Sequence, residues 1–339
     1  MKLKRLVSVF LATSLACGLA ACGSSNAEAG GISDDAIILK YAEVNSIDSL
    51  DGLVASYFKD QVEKLTNGSV VIDVQASGVL GDESTVLDGM TAHGGTVDLA
   101  RISCFALTNY GAKLSALPSI PFTFNDREHY WTFTESEIGQ KILDEPSELG
   151  LGVQGLFFLE EGFRNFFVTE EFSSIEDMAG RKIRVSSDPI LTSVVEELGA
   201  NPTVISFGEL YTSLQSGVVD GADQPTALYE SNAFNEVAPY LIEDGHTMSA
   251  SEVIVSEDSW AKLNDEQKNA IEEACVATSA YAKEISASIE EECKTRLEDK
   301  GVTFVPVEDK QPWRDACSEV ISEYTSGLEN EYQQILDLA

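Results

Sequence analysis

Two arginines, Arg164 and Arg184, are the residues of this chain best suited to chemistry. Each lies in a run that alternates like a strand, Phe163–Phe167 and Lys182–Ser186. Helix patterns follow at Pro189–Leu198 and Glu209–Ser216, separated by a strand pattern at Thr203–Phe207 and followed by an Asp220–Gly221 turn. Short strands alternating with short helices predict an α/β domain, whose ligands bind beyond the carboxyl ends of the strands. An arginine at such an end presents a planar fork of donors that matches a carboxylate bidentately. The chemistry predicted is capture of a small organic acid.

Other chemistries lack their signatures. There is no G-x-S-x-G elbow, no H-E-x-x-H and no phosphate-binding G-x-x-x-x-G-K-[ST]. His93, His129 and His246 fall in unrelated contexts, and the adjacent pair Glu160–Glu161 would diverge on a strand. Gly150-x-Gly152-x-x-Gly155 matches a dinucleotide fingerprint in letters only, because a helix precedes it and a strand follows. Cys104, Cys275, Cys293 and Cys317 show no C-x-x-C spacing, so no metal or redox motif is predicted. Cys275 and Cys293 share a helix pattern, about 27 Å apart, and cannot bridge. A Cys293–Cys317 bridge stays open, with buried free thiols as the default. No enzyme activity, cofactor or metal-ligating residue is expected, and whether a metal ion accompanies a ligand stays open. The net charge of -35, from 57 acidic against 22 basic residues, leaves no basic face for nucleic acid.

The chain of 339 residues, 43% hydrophobic, has room for two domains. Residues 1–21 read as a secretion signal: Lys2, Lys4 and Arg5, an apolar run from Leu6 to Ala16, then Leu19-Ala20-Ala21-Cys22. That last tetrad resembles the lipobox of bacterial lipoproteins, which implies cleavage before Cys22 and acylation on it. Residues 22–33 then form a flexible tether rich in Gly, Ser and Ala. Strand and helix patterns alternate through Ala36–Glu43, Ser49–Leu65, Val70–Gln75, Asp82–Ala92 and Thr96–Ser103, predicting a parallel sheet with right-handed crossovers. Leu117–Phe124 is a proline-bounded apolar segment, and helices are expected at Asp126–Phe133, Ile138–Leu149 and Thr226–Val237. Leu156–Glu160 reads as a strand and His246–Val255 as extended. From Asn264 to Lys300 the pattern is helical without a break, roughly 55 Å, with two kinked helices as the alternative. Val302–Val307 is a late strand before closing helices at Gln311–Ser326 and Glu329–Leu338.

Several ordered pieces carry a resemblance: Gly162-x-Arg164, Ile175-Glu176-Asp177-Met178-x-Gly180-x-Lys182-Ile183-Arg184-Val185, Leu198-Gly199-Ala200-x-Pro202-Thr203, Phe207-x-Glu209-Leu210-Tyr211-x-Ser213-Leu214-Gln215 and Gly217-Val218-Val219-Asp220-Gly221. Gly94-Val97-Asp98 and Leu117-Pro118-x-x-Pro121-Phe122 extend it upstream. Together they resemble the substrate-binding proteins of tripartite ATP-independent periplasmic (TRAP) transporters. The resemblance implies an α/β, two-lobed periplasmic-binding-protein-like (Venus flytrap) fold with a long helix spanning both lobes. Lobe I would be 34–161 plus 249–288, and lobe II 162–248 plus 289–339. It further implies an extracytoplasmic receptor, exported and lipid-anchored at the membrane, that captures a small organic acid by lobe closure and delivers it to a membrane permease. A sensory receptor of the same fold, or an extracellular lipoprotein enzyme, are the competing readings. Carried over residue by residue, Arg184 would form the bidentate salt bridge to the ligand carboxylate and Arg164 would meet the same carboxylate or another polar group. Phe207 would pack beneath that pair. Gln224 stands where the family commonly has Asn, and Ser187 departs from the usual Asn, which alters reach. Glu43, Asn45 and Ser103, at strand ends of lobe I, would face the cleft.

Overall fold

The computed structural model describes residues 35–92 and 95–339. The leader, Cys22 and the tether, together with His93 and Gly94, lie outside the described residues.

The first strands, β1 (Ile37–Ala42), β2 (Val70–Gln75) and β3 (Leu99–Ser103), pair in parallel around β1. The helices between them, Leu50–Leu65 and Glu83–Thr91, start where Ser49 and Asp82 accept a backbone N–H of the first turn. The expected alternation is therefore present. Next comes β4, Val153–Val168, which runs through both strand patterns predicted for this region. Their join is Gly162, at φ +104°, where the register to the neighbouring strand shifts between Glu160 and Phe163. A side chain there would meet Arg127 Nη2 and Glu290 Oε2, each 3.1 Å from the Cβ position. Arg127 joins Glu160 and Glu290 by ion pairs at this point.

Strands β5 (Lys182–Val185), β6 (Asn201–Val204) and β7 (Gly221–Pro225) follow, then β8 (Tyr240–Glu243), β9 (Thr247–Ser256) and β10 (Thr303–Pro306). All ten form one sheet, ordered β2-β1-β3-β9-β4-β7-β5-β6, with β8 bridging β4 and β10. Strands β4 and β9, antiparallel to each other, are common to both ends of the sheet.

Several boundaries differ from expectation, each for a local reason. The strand expected at Thr203–Phe207 stops at Val204, and Phe207 begins a single 3₁₀ turn. Gly221 does not close a turn but opens β7; its Cβ position lies 2.5 Å from the Phe167 carbonyl, so only glycine fits this strand entry. The helix predicted to reach Val237 ends at Ser231, because Ala233 adopts φ +57°. The helix expected over Gln311–Ser326 is two, Gln311–Ala316 and Ser318–Tyr324. Short β8 carried no recognised signal.

The long helix, Asp265–Asp299, is unbroken over 35 residues, about 52 Å. It begins in a reciprocal capping box between Asn264 and Gln267. Its buried stripe (Ile271, Ala274, Thr278, Ala282, Ser286, Cys293, Leu297) packs on helix Leu50–Leu65, on β4 and on helix Thr226–Ser231. It thus touches elements from both ends of the sheet. Cys104, Cys275, Cys293 and Cys317 are buried free thiols. No helix among the described residues is long and apolar enough to cross a membrane.

Candidate binding site

Arg184 sits one residue before the end of β5 and is 2% exposed. Its Nε donates to the Ile205 carbonyl at 2.9 Å, and its guanidinium carbon lies 5.9 Å from the centre of the Phe207 ring. Its Nη groups have no hydrogen bond or ion pair among the described residues. Burial lowers its pKa to about 10, with Asp223 opposing, so the group stays cationic at neutral pH. A buried cation with an open fork is an unusual thing for a fold to keep.

Arg164, further along the wall, is by contrast occupied. Its Nε pairs with Asp223 on the adjacent β7, Nη2 donates to the Asp223 carbonyl at 3.0 Å and Nη1 to Ser249 Oγ at 3.3 Å. Asp223 also faces His246 Nε2 at 3.3 Å, and His246 Nδ1 donates to Asp244 at 2.6 Å. The imidazole stacks on Phe166 at 4.4 Å. Burial disfavours the imidazolium, but Asp244 and Asp223 outweigh it and push His246 up to about 9. Burial would likewise raise Asp223, but Arg164 and His246 hold it below the usual carboxylate range. Arg164, Asp223, His246 and Asp244 form a chain of alternating charge behind the site.

The opposite wall centres on Arg101, 4% exposed on β3, which no motif had singled out. It clasps Glu43 by Nε at 3.2 Å and Nη2 at 2.8 Å, and meets Glu83 at 3.3 Å and Glu161 at 3.1 Å. Glu161 accepts Ser249 Oγ and Ser251 Oγ, so both its oxygens are used. Glu160, its neighbour, points the other way to Arg127 and Ser286, as a strand requires. Glu83, at the start of its helix, uses only Oε1, which takes Arg101 and both the N–H and Oγ of Ser103. Burial raises Glu83, with Arg101 opposing. Asn45 Nδ2 donates to Asp51 at 2.7 Å, leaving the buried Oδ1 without a partner among the described residues. Burial, then Glu161, lifts the Asp51 carboxyl well above its ordinary value, with Arg101 opposing.

Between the walls lies a cavity of about 410 Å³, within the ~300–1,000 Å³ common for small-molecule sites. Of the predicted residues, Arg184, Arg164, Phe207, Gln224, Ser187, Asn45 and Ser103 line it. Glu43 does not; it lies behind, clasped by Arg101. Residues the sequence reading missed complete the lining: Arg101, Glu83, Glu161, Asn109 and Tyr110 among them. Arg101 had one signal, a charge set among the apolar Leu99, Ala100 and Ile102 of its strand. Glu83 and Asn109 had none. Asn109 Nδ2 donates to the Ser187 carbonyl at 3.0 Å, joining the two walls. No group of His, Cys, Asp and Glu among the described residues could hold a metal ion.

Comparison with known proteins agrees with this architecture. The family model described as "Bacterial extracellular solute-binding protein, family 7" matches residues 41–327. A solute-binding protein of Roseobacter denitrificans is 34% identical over 256 residues, 76% of this chain and 77% of that one. A C4-dicarboxylate-binding periplasmic protein of Rhodobacter capsulatus is 27% identical over 290 residues, 85% of this chain and 86% of that one. Among solved structures, a TRAP periplasmic solute-binding protein of Roseobacter denitrificans with bound L-galactonate superposes with TM-score 0.83 at 30% identity, covering 89% of this chain and 99% of that one. One from Xanthobacter autotrophicus with bound β-D-galacturonate gives TM-score 0.84 at 26% identity, covering 88% and 99%. The two-lobed fold, the binding rather than enzymatic role and the extracytoplasmic setting follow: this chain belongs to bacterial extracellular solute-binding protein family 7, the solute receptors that work with TRAP permeases.

Proposed function

We propose that the cavity captures one small organic acid through Arg184, as the receptor step of a TRAP transporter, and that the receptor is lipid-anchored through Cys22. The carrying observation is the open fork of Arg184: a buried cation whose Nη donors have no partner among the described residues is complete only with an anion between them. Phe207 supports the guanidinium from one side, and Arg164 stays locked on Asp223 as a positioning residue. The lobes are 34–161 with 249–288 and 162–248 with 289–339. The register shift at Gly162 and the two shared strands supply a flexible join. A ligand spanning both walls favours the closed form by its extra contacts there, and the closed receptor delivers its load to the permease.

Native mass spectrometry of the soluble domain, followed by a thermal-shift panel of organic acids, tests this. One acid per chain is expected. Ligand at about 100 times its dissociation constant adds ~2.7 kcal/mol of stability. Absence of any adduct or shift across mono- and dicarboxylates would sink the carboxylate reading. Anchoring is tested separately by acyl labelling in cells, which Cys22→Ser should abolish.

A further inference from the structure

Relatives of this chain take both C4-dicarboxylates and sugar acids, and these make opposite demands on the wall facing Arg184. Resting on the carboxylate reading above, we infer that the ligand carries a single carboxylate and presents hydrogen-bond donors at its far end, with Glu83 and Asn45 as the residues that select it. Arg101 is spent on Glu43, Glu83 and Glu161, and Arg164 on Asp223, so neither is free to receive a second carboxylate. The far wall instead leaves acceptors open. Glu83 Oε2 has no partner among the described residues, while Oε1 is fixed by Arg101 and Ser103. Asn45 Oδ1 is buried and has no partner among the described residues, its amide nitrogen held by Asp51. A hydroxyl or ammonium group satisfies these oxygens; an ionised carboxylate brings only further acceptors and like charge. An apolar tail leaves them desolvated and unpaired, which discriminates strongly in a site built around polar contacts.

Isothermal titration of the purified receptor at about pH 8, above the carboxylate range, distinguishes these cases with four probes: L-galactonate, γ-aminobutyrate, butyrate and succinate. The hydroxyl-bearing or the ammonium-bearing acid should bind at least about tenfold tighter than butyrate or succinate, and which of the two wins identifies the donor. Glu83→Gln, which places an amide donor where Oε2 stood, should narrow the deficit of succinate. Succinate or butyrate binding as tightly as the donor-bearing acids to the native protein would overturn the inference and leave the Arg184 reading standing. Silence from all four, or affinities unmoved by Arg184→Gln, would overturn the carboxylate reading itself and this inference with it.

Discussion

Arg101 and Arg184 are buried to nearly the same degree, line the same cavity and sit near the ends of comparable strands, yet they have opposite surroundings. Arg101 is ringed by Glu43, Glu83 and Glu161, whereas Arg184 has one carbonyl and an aromatic ring. Burial therefore does not distinguish a structural cation from a binding one; the count of unfilled donors does. The comparison predicts a crossed pattern of mutational effects. Arg101→Met should unfold more readily, by roughly 3–5 kcal/mol, because it leaves buried carboxylates facing one another without their cation. Denaturant midpoints measure this, and a loss under about 1 kcal/mol would mean that the carboxylates are neutral and the arginine is dispensable.

Arg184→Met should do the reverse. Affinity for the acid should fall by about 2–5 kcal/mol, since the bound carboxylate would be desolvated and unpaired. The unliganded protein should keep or gain stability, because a buried, partly satisfied cation has been removed. Calorimetry and thermal melting on the same sample read both quantities. A variant that loses stability while binding normally would exchange the roles assigned to the two arginines.

A third cation sharpens the contrast, since His246 is paired like Arg101 but can lose its proton. Its pKa is raised from 6.5 to about 9 by Asp244 and Asp223, against burial, with Arg164 close behind. The stability it contributes is fully present below pH 6.5 and is lost as pH rises through 9, on the order of 3 kcal/mol. Glu252 adds to the same slope. It is fully buried on β9, both oxygens lack partners among the described residues, and burial raises it from 4.5 to about 8, so its neutral form is the one the fold tolerates and ionisation opposes folding. The melting temperature should fall from pH 6.5 to 9, and Glu252→Gln should flatten the part below 8. A flat profile in the native protein would contradict both assignments.

The sequence showed one wall better than the other, and the reason is physical. Arg184 lies in a short alternating strand between turn-forming residues, so period and motif both expose it. The long helix was equally legible, because its Asn264–Gln267 box and its stop at Gly301 are local signals. Strand β7, Gly-Ala-Asp-Gln-Pro, has no apolar alternation at all; its polar residues are buried because Arg164 and His246 receive Asp223, which is a tertiary fact. The Arg101 cluster joins Glu43, just after β1, with residues from β3, β4 and a helix start, distant in sequence and ordinary in a chain so rich in acids. Glu43 illustrates the limit: a strand-end position predicted a cleft-facing group, but the arginine that turns it away comes from a neighbouring strand.

The smallest expected effect concerns an exposed side-chain hydrogen bond between the walls, from Asn109 to the Ser187 carbonyl. Its net worth is about 0.5–1.5 kcal/mol. Only a form with the walls together can make it, and it touches neither open Nη of Arg184 nor Glu83 Oε2. Asn109→Ala should therefore lower the population of the closed form without changing what that form recognises. Apparent affinity falls in proportion to the competent fraction, by roughly two- to tenfold, with the same factor for every acid. The loss should appear mainly as faster dissociation, measurable by stopped-flow release of bound acid. If Asn109→Ala instead altered the ranking among acids, Asn109 would belong to the recognition surface alongside Glu83 and Asn45, and the link between the walls would be part of specificity, not only of closure.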